Sequence, residues 1–573
     1  MSSPDLRGKL ELVLEPKPGS QLVRYVHDSI TFHITLGKAH TVPGLTVKLR
    51  TTIGQARELN EAIVAQTERG QAIPPNAGWR DLRMVETDGR WCCTVTLDEP
   101  GFFQATTHVV DEDGFQHWPS GGNINICVHP NHVRSGNTIY CAFPRLFGKT
   151  KTSNAKALPG LPDEIAKLEK DNWSVVPPSG TLRDLKAELP HIFGRLKCKW
   201  LHLLPVNPTP ITPETRMGRY GSPYAALDLT SIDPALVEFD RRTTGVEQFV
   251  ELADETHRWG GRLMLDLVIN HTGWGSVLQE KHPDFFRKTN KSEFESPGAW
   301  GTIWEDLVEL DTSTTDLLKH LADPFLIWCE RGVDGFRCDA GYKIPMPVWR
   351  YIVAKVRLQY PETIFLLEGL GGGWAETESL LTEGVMQWAY SELFQEFEPK
   401  QISGYLDHVI KQAGRLGPLV HYSETHDNHR LAKRGRDWSL LRNRLSALTS
   451  VNGTFGFTCG VEWLADQKIN VHGCAGLNWD AEAHIIEDLA ILNELLNSHP
   501  CFAEGTTLTR LSSKDSPILA VLRVSVNGDE LLVLVNLDIE EPQSIELELE
   551  ERWVSATDLL GQVAGLEDCQ PIR

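Results

Sequence analysis

Four apolar runs in this sequence lead into carboxylates or histidines. Leu263–Val268 carries Asp266 and leads to Asn270 and His271. Val333–Phe336 runs into Arg337 and Asp339, Ile364–Leu367 ends at Glu368, and Leu419–Tyr422 leads to Glu424, His426, Asp427 and Asn428. A carboxylate at the end of an apolar strand is costly unless it is paired or used. One such Asp reads as a helix cap or a turn residue, whereas several strands delivering these groups to one rim read as a site. Two carboxylates on consecutive strands suit cleavage of a glycosidic bond with retention of configuration. One attacks the anomeric carbon while the other protonates the leaving oxygen and then acts as base, the pair standing about 5–5.5 Å apart. Asp339 fits the nucleophile and Glu368 the acid/base. Arg337, two residues before Asp339, points to the same side of a strand and favours the ionised form of Asp339. Glu368 must begin protonated, which neighbouring carboxylates and exclusion of water promote.

The elements that bring these groups together show in the rhythm of the chain. After about residue 180, short apolar runs recur at Trp200–Val206, Arg262–Val268, Val333–Cys338, Ile364–Leu367, Val385–Tyr390, Leu419–Ser423 and Thr454–Phe457. Helix-length segments such as Gly245–Trp259 and Trp349–Gln359 separate most of them. This alternation argues for parallel βα units closing into a (β/α)8 barrel. Residues 1–135 read differently: Leu10–Leu14, Ile30–Leu36, Leu45–Arg50, Trp91–Leu97 and Gly101–Val110 are strand-like, interrupted by a helical stretch at Ile53–Arg69. An N-terminal β-sandwich is expected there, binding carbohydrate or packing on its neighbour. From residue 503 strands return without helices. Ile518–Val524 and Glu530–Asn536 flank Asn527-Gly528, a strong hairpin signal, and Ile545–Leu549 follows. The expected organisation is a sandwich at 1–135, a barrel at 136–502 with a short insertion at about 271–311, and a C-terminal antiparallel β domain at 503–573.

Composition narrows the class. The chain has 573 residues, 41% hydrophobic and 23% charged, ordinary values for a globular protein. A net charge of −21 argues against binding nucleic acid or an anionic membrane surface. The first 18 residues carry charges and no apolar core, so no signal peptide is expected, and no run approaches a membrane span. The 11 cysteines are scattered without a CxxC pair, so neither a zinc site nor a disulfide framework is expected and reduced thiols in a cytoplasm fit best.

The motifs resemble those of the α-amylase superfamily, glycoside hydrolase family thirteen: Asp266-Leu-Val-Ile-Asn270-His271, Gly335-Phe336-Arg337-Cys338-Asp339, Glu368-Gly369, and Glu424-Thr425-His426-Asp427-Asn428. Gly221-Ser222-Pro223-Tyr224 through Ile232-Asp233-Pro234 is similar to a fifth family segment. The resemblance spans roughly residues 140 to 573. It implies Asp339 as nucleophile, Glu368 as acid/base and Asp427 as a third carboxylate gripping sugar hydroxyls. It further implies that Arg337 orients Asp339, that His271 and His426 bond the same sugar, that Tyr224 stacks on it, and that Asp266 and Asn270 form a structural pair. In some members the Asn position ligates calcium, but no partner carboxylates stand out, so no cofactor or metal is expected. Many amylases carry Ala-x-Lys-His after the nucleophile, where this chain has Ala340-Gly341-Tyr342-Lys343, which makes Tyr342 and Lys343 candidates for a different acceptor side. His282-Pro283-Asp284-Phe285-Phe286 is similar to a stretch of bacterial maltosyltransferases that use maltose 1-phosphate, although Ala340 stands where that group is expected to have Asn. Trp274, Trp300 and Trp304 in the insertion, and Trp374 after a Gly run, either stack on sugars or pack on the barrel.

Three functions compete on these grounds. The first is hydrolysis of α-1,4-glucans with accompanying transfer, acting on α-glucan or malto-oligosaccharide. The alternative is a 4-α-glucanotransferase or maltosyltransferase of glycogen metabolism. The third is an inactive binding subunit, which the presence of all three carboxylates disfavours.

Overall fold

The computed structural model describes residues 11–37, 44–153, 160–299, 301–548 and 557–561. At its centre eight parallel strands close into a barrel. In chain order they are β1 Thr138–Ala142, β2 Trp200–Leu203, β3 Arg262–Val268, β4 Gly335–Asp339, β5 Ile364–Leu367, β6 Trp388–Tyr390, β7 Leu419–Tyr422 and β8 Phe455–Thr458. Each pairs with its chain neighbour, and β1 pairs with β8 to complete the ring. The strands are buried on both faces, which is why they read as continuous apolar runs rather than alternating ones. Strand β1 differs from the sequence reading, which identifies no run there: Thr-Ile-Tyr-Cys-Ala is short, wholly buried and without alternation.

Helices return the chain between strands. Gly245–Arg258 is typical: Thr244 caps it, its side chain and that of Glu247 bonding reciprocally, and Phe249, Leu252 and Ala253 face the barrel. Thr315–Glu330, Met346–Arg357, Trp374–Leu381, Pro399–Leu416, Arg436–Thr449 and Ile486–Ser498 follow strands β3 to β8. Between β3 and its helix, His271–Gly273 pairs with Leu307–Glu309, anchoring the insertion at the rim.

Before the barrel, two antiparallel-rich sheets face each other. One runs Val13–Glu15, Ser29–Thr35, Arg90–Thr96, Val85–Thr87; the other runs Gln21–Tyr25, Ile124–His129, Gly101–Val110, Thr46–Thr51, Arg80–Arg83. Phe32, Ile34, Leu49, Phe103 and Ile126 fill a core of their own between them. Helix Ala56–Arg69 bridges to the barrel, where Glu68 accepts from Tyr351 Oη at 2.8 Å and pairs with Lys355 at 3.1 Å. Leu10 of the first expected strand lies outside the described residues.

Beyond the barrel, Thr507–Arg510, Ile518–Val524 and Glu530–Asn536 form an antiparallel sheet. It shares the barrel's core through Leu519, Val521 and Val533. Buried Arg523 donates to the carbonyls of Leu448 and Cys501 at 3.1 and 2.8 Å. The strand expected at Ile545–Leu549 does not appear: residues 545–548 carry no strand, and Leu549 lies outside the described residues. The run alternates Ile and Leu with Glu, but among the described residues 545–548 pair with no strand of the three-stranded sheet. No helix among the described residues is long and apolar enough to cross a membrane. The ten described cysteines are free thiols, and Cys569 lies outside the described residues.

Candidate active site

Register brings the polar groups together. Strands β3 and β4 pair so that Asp266 lies beside Arg337 and Val268 beside Asp339. Strands β4 and β5 pair Cys338 with Leu367, so Asp339 and Glu368 leave neighbouring strands at the same level. Strands lie about 4.8 Å apart, which suits the separation of about 5–5.5 Å that a retaining pair of carboxylates requires. The chain then turns sharply at Ala340, whose φ of 45° and ψ of 33° lie in the left-handed region. A non-glycine residue held there costs on the order of 1 kcal/mol. The turn aims the Ala340 N–H at Glu368 Oε2, at 2.9 Å, while the Leu370 N–H reaches Oε1 at 3.1 Å. The backbone that carries Asp339 thus also fixes the orientation of Glu368.

One guanidinium organises the charge. Arg337 Nη1 donates to both oxygens of Asp266, at 3.1 and 2.9 Å, and to Asp339 Oδ1 at 2.6 Å. The Asp266 side chain is fully buried and that of Arg337 nearly so. Burial pushes the Asp266 carboxyl up and Arg337 opposes it. Burial works against the guanidinium's charge too, but Asp266, Tyr390, Tyr224 and Asp339 together hold it firmly protonated. Glu368 behaves differently. Burial pushes its carboxyl up to about 7, Arg337 and the two backbone N–H groups pull it down, and Asp339 adds to the rise. A carboxyl so placed keeps its proton at mildly acid pH and is about half protonated near pH 7, as a general acid requires.

Around these carboxylates the other expected residues divide. Tyr224 Oη lies 3.0 Å from Asp266 Oδ2 and 2.7 Å from His426 Nε2. The hydrogen-bond network assigns the tyrosine proton to Asp266 and a proton on His426 Nε2 to the tyrosine oxygen. The rings of Tyr224 and His426 lie nearly parallel, 13° apart. Asp427 Oδ2 is 3.4 Å from His426 Nε2, and the Asp427 side chain is 69% exposed, free to meet a ligand. His271 is buried with Nε2 unpartnered, and burial depresses its imidazole to about 4. Asn270 stands behind it, its Nδ2 3.2 Å from His271 Nδ1. Tyr342 borders both carboxylates: burial first, then Glu368 and Asp339, push its phenol up to about 12. Lys343 turns away to bond the Gly298 carbonyl and lies 4.7 Å over the Trp304 ring. Glu424 takes no part in the rim, since both its oxygens are held inside by Arg430, Thr458 and the Leu431 N–H.

The aromatic candidates also separate. Trp304 is half-buried, with His271 5.9 Å from it, so it borders the site. Trp274 donates to the Glu305 carbonyl and packs on Phe294. Trp374 begins a helix and packs edge-on against His408 at 4.5 Å, a packing role rather than that of a closing flap. Trp300 lies outside the described residues. His282 and Phe285 stack face to face at 4.6 Å and Phe285 is buried, so that stretch braces the insertion.

Comparison with known proteins bears on this geometry. The family model for the alpha amylase catalytic domain matches residues 143–363. An α-1,4-glucan:maltose-1-phosphate maltosyltransferase of Cereibacter sphaeroides is 24% identical over 452 residues, covering 71% of this chain and 64% of that protein. The protein of that name from Methylacidiphilum infernorum is 24% identical over 443 residues, covering 68% and 62%. The chain thus spans a little under two thirds of the length of these curated relatives. Among solved structures, an α-amylase from Lactobacillus plantarum aligns with a TM-score of 0.57 at 22% identity, covering 71% of this chain and 89% of that one. A cyclomaltodextrinase aligns with a TM-score of 0.56 at 18% identity, covering 91% of each. Residues 143–363 thus match an alpha amylase catalytic domain, and the barrel around them has the fold of the solved α-amylases.

Two features of the site lie beyond the sequence motifs. His202, mid-strand in β2, is fully buried. Its Nδ1 is 3.1 Å from Tyr422 Oη and its Nε2 4.0 Å from Asp266 Oδ2, and burial keeps it neutral. Tyr390 on β6 places its ring 5.5 Å from the Arg337 guanidinium. Both sit inside apolar strands, where a lone polar residue was the available signal. At Asn270, whose position holds calcium in some α-amylase family members, the amide Nδ2 lies 3.2 Å from His271 Nδ1, and no group of three or more His, Cys, Asp or Glu side chains converges among the described residues.

Proposed function

We propose that this protein is a retaining α-glucan-active enzyme whose main reaction is transfer of an α-1,4-linked glucosyl or maltosyl unit to the end of another α-1,4-glucan. The observation that carries the chemistry is the adjacent-strand placement of Asp339 and Glu368, with Arg337 on one carboxylate and a raised pKa on the other. Asp339 attacks the anomeric carbon as its bond to the leaving oxygen breaks, and Glu368 gives that oxygen its proton. A glucosyl ester on Asp339 results. Glu368, now a carboxylate, takes the proton of an acceptor hydroxyl, whose oxygen displaces Asp339 and restores the α configuration. Asp427, His426 and His271 bind hydroxyls of the reacting sugar, and Tyr224 supports it beside Asp266. Tyr342 and Trp304 border the acceptor side.

Sequence alone favours hydrolysis with accompanying transfer. The relatives named as maltosyltransferases support transfer as the principal outcome. Water and a sugar hydroxyl compete for the same intermediate, so product analysis separates the two. With maltotriose alone, early products longer than the substrate are expected. With maltose 1-phosphate and maltoheptaose, extension by two glucose units with release of phosphate identifies the phosphorylated donor. Glucose and maltose as sole products under both conditions, at high substrate concentration, would refute transfer.

A further inference from the structure

Behind the loop that carries His426 and Asp427 lies a second cavity of about 380 Å³, between the loops after β6 and β7. That volume is at the low end of the range for small-molecule sites, about 300–1,000 Å³. Two rings line part of it: Phe397 and Trp438 lie nearly parallel, 18° apart with centroids at 6.2 Å, and Phe397 is 51% exposed. Arg434 rests on Trp438 with Cζ 3.4 Å from the ring centroid. Lys433, Arg434 and His429 also line the cavity and are exposed. Among the described residues no carboxylate lies within ion-pair distance of Lys433 or Arg434. In a chain of net charge −21, two unpaired cations side by side over an aromatic wall are unusual company.

The carboxylate and side-chain amide oxygens that line this cavity are already used. Both oxygens of Glu424 are taken, as described above, and Asn428 Oδ1 receives the N–H and hydroxyl of Thr425, at 3.0 and 2.7 Å. The charged donors are not: neither Lys433 nor Arg434 has an ion-pair partner among the described residues. A neutral sugar presents hydroxyls that both give and accept, and it finds few acceptors here. A phosphate or other oxyanion only accepts, and it matches a donor-rich pocket. An exposed aromatic face suits the apolar face of a pyranose ring. We propose that this cavity binds a phosphorylated sugar, with its anion on Lys433 and Arg434 and its ring against Phe397. The site is distinct from the one formed by Asp339 and Glu368. The inference stands on this cavity alone and does not depend on which glucan reaction the protein performs.

The test is calorimetric titration of the full chain with inorganic phosphate, glucose 6-phosphate and maltose. It compares the wild type with a Lys433→Ala/Arg434→Ala variant, both positions being exposed and outside any ion pair, and with Phe397→Ala. Glucose 6-phosphate is expected to bind at least tenfold more tightly than phosphate. The double variant should lose tenfold or more in affinity for both anions, and Phe397→Ala should lose affinity for the sugar phosphate alone. An equal affinity for phosphate and glucose 6-phosphate would overturn the sugar part of the proposal. Anion binding unchanged in the double variant, no anion binding at all, or maltose binding that depends on the same two cations would overturn it entirely.

Discussion

Glu368 offers a quantitative test of how the site works. Its carboxyl is buried, and burial with Asp339 alongside lifts it from 4.5 to about 7, a penalty of roughly 3 kcal/mol on the ionised form at about 1.4 kcal/mol per unit. The first chemical step uses the protonated form. The competent fraction is therefore complete at acid pH and is lost as pH rises through the folded-state value. For maltotriose, kcat/KM should halve near pH 7 and fall to about a tenth of its plateau one unit higher. An α-maltosyl fluoride needs little proton assistance, since fluoride leaves unaided, and its profile should stay level across the same range. Glu368→Gln should lower the maltotriose rate by about 10²–10⁴-fold and abolish the basic limb, while sparing formation of the glycosyl-enzyme from the fluoride. The assay is a pair of pH profiles, measured on wild type and variant with both substrates. A basic limb shared by both substrates, or one displaced to about pH 9 or above, would refute the assignment of Glu368 and its environment.

Other outcomes follow from the same geometry. Arg337→Met strips a fully buried carboxylate of its counter-charge and should cost about 3–5 kcal/mol in urea unfolding. Adding Asp266→Asn should restore most of that loss, and an unchanged stability in the single variant would count against the ion triad. Asp339→Asn should cut turnover by several orders of magnitude with an unchanged far-ultraviolet circular dichroism spectrum, because it removes the nucleophile; near-normal turnover contradicts the role. Trp304→Ala removes the ring under Lys343 and should raise KM for maltoheptaose by about threefold or more. Formation of the glycosyl-enzyme from α-maltosyl fluoride should stay unchanged in that variant, and a matching loss there would move Trp304 out of the acceptor side.

Much of the barrel was legible because its strands end on functional groups. Arg262–Val268 and Ile364–Leu367 stand where the sequence pattern puts them, since apolar runs bounded by turns and followed by carboxylates have few other readings. Strand Thr138–Ala142 lacked such an ending and was invisible to periodicity, being buried on both faces. Ile545–Leu549 shows the converse: alternation alone predicts a strand, yet residues 545–548 form none. The carboxylates and their arginine could be named from spacing, but their bonds could not. That Ala340 adopts a left-handed turn and gives its N–H to Glu368 depends on packing across β4 and β5. Lys343 is committed to Gly298 and Trp304, partners from the insertion some forty residues earlier, which no local pattern reveals. The Phe397–Trp438 cavity joins the loop after β6 to the loop and helix after β7 and was equally out of reach.

The central claim is a covalent glycosyl ester on Asp339, formed with help from Glu368. Its most direct test is to mix Glu368→Gln enzyme with α-maltosyl fluoride, quench in acid, digest and locate the modification by mass spectrometry. The account predicts a peptide spanning Gly335–Asp339 that carries a maltosyl unit on Asp339, absent from Asp339→Asn/Glu368→Gln enzyme. The ester should disappear when azide is added, because azide attacks the anomeric carbon without losing a proton, the bond to Asp339 breaks and maltosyl azide is released. A maltosyl unit on another residue, or fluoride turnover with no labelled peptide at any quench time, would contradict it.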